Sequence, residues 1–281
     1  MTTIERRMAE RVLPLTPVET GVRPSGALPG KPAAFLFDVY GTLLISASGD
    51  IALDNGSDTS FRLLAVLLDQ YSVHRKPEDL CRSLREEIVA THERMRKDGV
   101  DYPEVEIDRV WQAVLETDDR ELARQFALEF EMTVNPVYPM PDAASLLTAI
   151  RKKNIPAGII SNAQFYTGHL FKLFFGDLPQ NSWADPELIF YSFEHGHAKP
   201  SPYLFKQAAE VLKKKGIAVH HTLYVGNDMA KDIAPAGSIG FKTALFAGDA
   251  RSLRLRQEEP AARTIKPDLV ITALDQLELY I

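Results

Sequence analysis

Apolar residues recur along this chain with two different periods. Between residues 59 and 132 they return every third or fourth position, in four stretches: 59–72, 77–98, 105–116 and 119–132. Leu64, Leu67, Leu68 and Tyr71 share one face of the first stretch, and Leu80, Leu84, Ile88 and Met95 one face of the second. Ile107, Val110, Trp111 and Val114 do the same in the third, and Leu122, Phe126 and Phe130 in the fourth. Pro77, followed by Glu78 and Asp79, is a favourable helix start: proline presets the first turn, and acids complement its exposed N–H groups. No strand pattern interrupts the run. Four amphipathic helices can close a small bundle, so the spacing predicts an inserted all-helical domain over 50–137.

Elsewhere the apolar residues gather in short runs. The first is 33–37, and others follow at 157–161, 188–191, 222–225, 242–246 and 269–271. Helical stretches at 142–153, 165–174, 202–215 and 230–238 separate them. Such alternation predicts an α/β fold with a doubly wound parallel sheet and helices on both faces. The core is then built from 32–49 and 138–281, and the polar segment 45–58 leads out of it. Residues 1–31 carry Pro14, Pro17, Pro24 and Pro29 with Gly21, Gly26 and Gly30, and a short helix is expected over 4–12. This arm has no core of its own. It is either disordered or laid across the body or a partner subunit, which leaves a homodimer open.

Composition narrows the function classes. The 281 residues suffice for a core of ordinary size and a second small domain. A net charge of −6 gives no global attraction to nucleic acid. The single cysteine, Cys81, rules out an intrachain disulfide and suits a reducing, cytoplasmic setting, with the thiol expected half-buried on a helix. No apolar stretch approaches the ~20 residues of a membrane span, so no membrane partner is expected. The N-terminus lacks the apolar stretch of a signal peptide.

Four chemical signals fall at strand ends. The first is Asp38-Val39-Tyr40-Gly41-Thr42 after the run 33–37. The second is Ser161-Asn162, the third Lys199 within His197-Ala198-Lys199-Pro200-Ser201-Pro202, and the fourth Asn227-Asp228 with Asp232. Each alone has a plain structural explanation: a strand-end serine caps helices, and acids favour helix starts. Their shared address, the carboxyl edge of a parallel sheet, is where such sheets bind ligands. A carboxylate there can attack phosphorus or carbon and form a covalent intermediate.

These four segments, in this order, resemble the motifs of the haloacid dehalogenase superfamily, over about residues 33–246. The helical insertion after the first motif is similar to that superfamily's C1 cap. The resemblance implies a hydrolase with Asp38 as nucleophile, Lys199 as fixed positive charge, and Ser161 with the Asn162 N–H holding phosphoryl oxygens at a helix N-terminus. Thr42 would orient Asp38 or donate to the leaving oxygen. Mg²⁺ would be held by Asp38, Asp228 and the backbone carbonyl of Tyr40, with Asp232 holding a metal-bound water or Lys199. The expected activity is Mg²⁺-dependent hydrolysis of a small phosphorylated metabolite through an aspartyl-phosphate.

Tyr40 complicates that expectation. The superfamily's phosphatases place an acid there to protonate the leaving alkoxide, help worth ~10²–10⁴ in rate. A phenol with an ordinary pKa of about 10 is a poor base at neutral pH, so the ring is expected to pack under the cap. Tyrosine at this position resembles metal-independent 2-haloacid dehalogenases, the second reading. Against it stands Asp228, whose extra carboxylate would repel an anionic substrate. The halide-binding arginine such enzymes carry in the cap could be Arg62, Arg75 or Arg82, each more simply a surface helix residue. A third reading is a phosphate-binding protein with weakened catalysis. His195 and His197 could supply the missing acid–base function, although loop histidines usually face solvent or a carbonyl. The basic segment 251–256 reads as a solvated loop or helix face.

Overall fold

The computed structural model describes residues 3–47, 58–259 and 265–281. Nine strands and eleven α-helices follow one another among these residues. In chain order they are α1 (Thr3–Arg11), β1 (Ser25–Gly26), β2 (Ala34–Phe37), β3 (Leu44–Ser46), α2 (Asp58–Gln70), α3 (Pro77–Lys97), α4 (Ile107–Val114) and α5 (Arg120–Val134). Then come β4 (Val137–Pro139), α6 (Ala143–Lys152), β5 (Ala157–Ser161), α7 (Thr167–Phe175), α8 (Pro179–Ser182), β6 (Ile189–Tyr191), α9 (Ser192–His195) and α10 (Tyr203–Lys214). The chain closes with β7 (Thr222–Gly226), a π-helical turn (Met229–Ile233), α11 (Ala234–Ile239), β8 (Lys242–Phe246), β9 (Leu269–Ile271) and a 3₁₀ helix (Leu274–Tyr280).

Seven strands form one sheet in the order β1-β9-β8-β7-β2-β5-β6. All pairings from β9 to β6 are parallel, and β1 joins the edge antiparallel to β9. This is the doubly wound α/β core. Strand β2 is wholly buried between β7 and β5, and its apolar run reflects helices covering both faces. Phe35 and Phe37 point to one face, with Ile159, Val225 and Leu223; Ala34 and Leu36 point to the other, with Ile160 and Tyr224. Each buried phenylalanine contributes roughly 1.5–3 kcal/mol of apolar burial.

The helical insertion has its own core of Leu64, Leu67, Leu80, Leu84, Trp111, Phe126 and Phe130. Trp111 lies 4.8 Å from Phe126 and 4.7 Å from Phe130 by ring centroids, edge-on or tilted geometries that favour the pairs beyond burial alone. Two strands that periodicity missed flank this insertion. β3 and β4 pair antiparallel, Ile45 opposite Tyr138, where the chain leaves and re-enters the core. They hold the cap on a short two-stranded stalk.

The N-terminal arm lies across the body. Met8 is fully buried, and Arg7 and Arg11 both pair with Glu129 on α5. Further on, the Thr20 hydroxyl donates to Ala247 O at 2.8 Å, and Ser25 pairs with Val270.

Candidate active site

Asp38 follows β2 directly, and its N–H donates to Val225 O at 2.9 Å, holding the strand end in register. Asp38 is 7% exposed. Gly41 then turns the chain at φ 82°; a β-carbon there would lie 2.6 Å from Ser252 Cβ and 2.7 Å from Asn227 Nδ2. No residue but glycine fits that approach.

Lys199 comes from the loop after α9 and reaches under the sheet edge. Its ammonium donates to Asp38 Oδ1 at 2.7 Å, Asp232 Oδ1 at 2.6 Å and the Tyr224 hydroxyl at 3.1 Å. The Tyr224 hydroxyl lies 2.8 Å from Asp232 Oδ1 and 3.0 Å from Ile160 O. Burial alone would lower the Lys199 pKa. The charges of Asp232 and Asp38 outweigh it and hold the ammonium above its ordinary value. Lys199 is therefore a permanent cation against the nucleophile. Gly226 makes room for this cluster, because a β-carbon there would meet Asp232 Cγ at 2.5 Å.

The π-helical turn after β7 sets the two later aspartates. Its wider winding lets Asp228 N donate to Asp232 Oδ2 at 2.9 Å while the Asp228 carboxylate faces outward. That carboxylate is fully engaged. Oδ1 accepts from Ala230 N at 2.8 Å and Lys231 N at 3.0 Å. Arg256 then grips both oxygens, with Nη2 to Oδ2 at 2.8 Å and Nε to Oδ1 and Oδ2 at 3.3 and 3.2 Å. Burial would raise the Asp228 pKa, but Arg256 and the two N–H groups hold it below the ordinary carboxylate range.

The segment around Arg256 is zipped onto this turn. Arg254 N donates to Asn227 O at 3.0 Å and Met229 N to Arg254 O at 2.9 Å, in a parallel bridge. The basic stretch 251–256 is thus no solvated face: Arg256 pairs with Asp228, and Arg254 lines the cavity. Sequence reasoning missed both. The signal available was their position after β8, the same carboxyl edge that carries the other four.

The remaining expected site residues take different roles. Asn162 clamps the lysine loop, Oδ1 accepting from Lys199 N at 2.7 Å and Nδ2 donating to Lys199 O at 3.0 Å. Ser161 is fully buried and does not line the cavity, and its hydroxyl donates to Asn162 O at 3.4 Å. Helix α7 begins only at Thr167, so Ser161 and Asn162 stand at no helix N-terminus. The helix N-terminus expected there is corrected to a loop, and Asn162 lines the cavity from it. Thr42 is buried and donates to Asn227 Oδ1 at 3.2 Å, tying the first loop to the fourth rather than touching Asp38. The Tyr40 ring packs against the main core and lines the cavity, and its hydroxyl shares a 2.8 Å hydrogen bond with Thr167. Burial pushes that phenol far above its usual pKa, against the pull of Thr167, so it cannot serve as a base.

A cavity of about 310 Å³ opens between core and cap. Asp38, Lys199, Asp228, Lys231, Asp232 and Arg254 line it from the core. His92, Glu104 and Glu131 line it from the cap. Arg62 and Arg82 are exposed on their helices, Arg75 bonds to Val114 O and the Ser83 hydroxyl, and none of the three lines the cavity.

The magnesium expectation meets this geometry badly. A hard cation needs carboxylate oxygens turned toward one open point. Asp228 turns its oxygens to a guanidinium and two N–H groups, and Asp232 to Lys199, Tyr224 and Asp228 N. Among the described residues no group of three or more His, Cys, Asp or Glu side chains is placed to hold a metal ion. The set Asp38, Tyr40, Asp228 and Asp232 does not fit Mg²⁺ as arranged.

Comparison with known proteins bears on the family. No curated protein matches the chain. Among solved structures, a defluorinating L-2-haloacid dehalogenase shares 18% identity over 95% of this chain and 98% of its own, with a TM-score of 0.53. A dehalogenase solved with an intermediate complex shares 15% over 90% and 99%, with a TM-score of 0.50. A HAD phosphatase from Thermococcus onnurineus shares 17% over 88% and 96%, with a TM-score of 0.51. At these identities the likeness is one of fold. The family model of a haloacid dehalogenase-like hydrolase matches residues 32–240, from before the nucleophile strand to the end of α11. The chain belongs to the haloacid dehalogenase-like hydrolases.

Proposed function

We propose that this hydrolase uses Asp38 to displace a leaving group from carbon in a small 2-haloacid-type anion, without a metal ion. The observation that carries the reading is the Arg256 clamp on Asp228. The chief objection to such chemistry was an uncompensated carboxylate beside the nucleophile. Arg256 neutralises that carboxylate in place, and Lys199 does the same for Asp232. The core wall then attracts an anion through Lys199, Lys231 and Arg254.

In the first half-reaction a carboxylate oxygen of Asp38 attacks the carbon, and halide departs with its bonding electron pair. An ester links Asp38 to the substrate. No proton is transferred, which suits a site whose Tyr40 hydroxyl is held by Thr167. Lys199 fixes Asp38 through Oδ1 and leaves Oδ2 free of any protein hydrogen bond among the described residues. In the second half-reaction water hydrolyses the ester.

Both dehalogenation and phosphate hydrolysis occur on this fold, so the choice rests on the residues. The test is a paired assay. Halide release from 2-chloropropionate in excess EDTA is the expected result. Magnesium-dependent release of p-nitrophenol from p-nitrophenyl phosphate, with no halide release, would overturn the reading in favour of the phosphatase expected from sequence.

A further inference from the structure

An anion entering the cavity must find a cation with donors to spare, and most of those present are committed. The three N–H groups of the Lys199 ammonium meet Asp38 Oδ1 at 2.7 Å, Asp232 Oδ1 at 2.6 Å and the Tyr224 hydroxyl at 3.1 Å. Arg256 turns its Nε and Nη2 to Asp228 and its Nη1 to Glu259 at 3.4 Å. Lys231 is close enough to Glu104 for its charge to pull that carboxyl's pKa down, against burial. Among the described residues no lysine or arginine of the cap lines the cavity; the cap brings Glu104, Glu131 and His92. Burial, helped by the charge of Arg96, lowers the His92 pKa, so that ring brings no charge at neutral pH.

Arg254 is different. Its backbone is bridged into the turn after β7, with Arg254 N donating to Asn227 O at 3.0 Å and Met229 N to Arg254 O at 2.9 Å. Its Nη1 donates to Arg251 O at 2.8 Å and Leu253 O at 3.1 Å. These tethers end on neutral carbonyls, so they hold the guanidinium without cancelling its charge. Among the described residues Arg254 has no acidic partner, and no protein atom accepts from its Nε or Nη2. That edge carries two parallel N–H donors, a spacing that matches the two oxygens of a carboxylate. Two residues on, Arg256 uses the same edge on Asp228, so the fold itself shows a carboxylate seated in this way.

The segment that carries Arg254 is also packed on the nucleophile loop. A β-carbon at Gly41 would lie 2.6 Å from Ser252 Cβ. Asn227 ties the two loops together: its Nδ2 donates to Ser252 O at 2.6 Å, and its Oδ1 accepts from the Thr42 hydroxyl at 3.2 Å. Asp38 and Arg254 thus line one cavity from two loops locked together at Asn227.

We propose that Arg254 binds the carboxylate of the substrate through its Nε and Nη2 edge, and so selects carboxylic acids over their neutral counterparts while Asp38 attacks carbon. This rests on the displacement at carbon proposed above. The cap then faces the uncharged part of the molecule, since Glu104 and Glu131, whenever ionised, repel a carboxylate. A guanidinium already tethered through Nη1 loses little freedom on binding, which favours affinity.

The experiment compares halide release from 2-chloropropionate and from 2-chloropropionamide, in excess EDTA, for the wild type, R254Q, R254K and H92Q. The wild type should prefer the acid. R254Q should lose ~10–100-fold of that preference in kcat/KM, chiefly through a higher KM for the acid. R254K keeps the charge but lacks the planar fork, and should recover only part of the loss. An equal fall for acid and amide in R254Q would mark a structural role and overturn the proposal, as would a wild type without the preference or an R254Q that retains it. Loss of the preference in H92Q alone would transfer the carboxylate to the cap and overturn it equally. Melting curves read by circular dichroism check that R254Q is folded; if its curve is shifted, R254K carries the comparison, and an equal fall for acid and amide there overturns the proposal. Should the wild type release no halide from either compound, the displacement at carbon fails, and calorimetry with propionate and propionamide decides Arg254 separately. Propionate binding that weakens ~10–100-fold in R254Q, with propionamide weakening less, keeps the carboxylate at Arg254. Equal binding of propionate by the wild type and R254Q removes it.

Discussion

The two walls of the cavity handle their acids in opposite ways. In the core wall each carboxylate is set against a cation: Asp38 and Asp232 against Lys199, and Asp228 against Arg256. In the cap wall Glu104 and Glu131 accept hydrogen bonds from neutral groups, namely Ser192, Gln164, Asn135 and Tyr166. Burial raises both cap carboxyls and also, to about 6, Asp232 in the core, while Arg256 and two N–H groups hold Asp228 low. The difference separates two tasks. Fixed charge is organised where an anion must be bound and attacked, and neutral donors hold the acids that face it.

The largest way to break this comparison is to remove the cation shared by the core wall. Lys199→Met leaves Asp38 and Asp232 buried beside each other, and should destabilise the fold by about 3–5 kcal/mol while abolishing turnover. Urea unfolding with a matched activity assay reads both effects. A stable, active variant would mean that the two aspartates do not depend on Lys199.

Arg256→Ala comes next. It uncovers Asp228, which is 4% exposed, and should lower halide release by ten- to a hundredfold and stability by about 1–3 kcal/mol. The informative comparison is the same variant with and without millimolar magnesium. Unchanged loss is the expected result. Recovery on adding magnesium would show that the guanidinium holds a place a metal can fill.

A third prediction concerns pH and stability at the cap wall. Glu104 binds its proton more tightly in the folded protein than in the unfolded chain, since its pKa is raised to about 7. Its contribution is therefore most favourable below the unfolded value of about 4.3, and is lost as pH rises toward about 7. Glu104→Gln removes that loss. The variant should gain thermal stability relative to wild type at pH 8 and little or none at pH 4, read by melting curves at both. An equal shift at both pH values would contradict the raised pKa.

The smallest expected effect is that of Arg82→Ala. Its side chain is 64% exposed and among the described residues pairs only with Asp79 one turn away, so stability should change by less than about 0.5 kcal/mol and activity not at all. A large loss of activity would place a cap arginine in the reaction that the geometry leaves outside the cavity.

How far the sequence could be read follows the same division. The core was legible because a parallel strand covered on both faces leaves an unbroken apolar run, as in 157–161 and 222–225, and such runs end at the functional edge. The cap helices were legible through their faces, Leu80 with Leu84 and Val110 with Trp111. Strands β3 and β4 escaped because each has three residues, too few for a period, and β4 ends in Pro139. The π-helical turn escaped because one extra residue between Asp228 and Asp232 leaves no pattern of its own. Arg254 and Arg256 looked solvated because a run of charge says nothing about which side faces a buried partner. Glu104 was invisible for a deeper reason: beyond the neighbouring Val105 N–H, its side-chain donors come from segments sixty to ninety residues away. Local sequence encodes the nucleophile's address, whereas tertiary contact sets what surrounds it.

The most direct test of a metal-free covalent attack by Asp38 is a single turnover of 2-chloropropionate in H₂¹⁸O with excess EDTA, followed by mass spectrometry of product and peptide. Asp38 should gain ¹⁸O while the first product molecule carries unlabelled oxygen taken from the carboxylate. Heavy oxygen in the first product, with Asp38 unlabelled, would contradict the account.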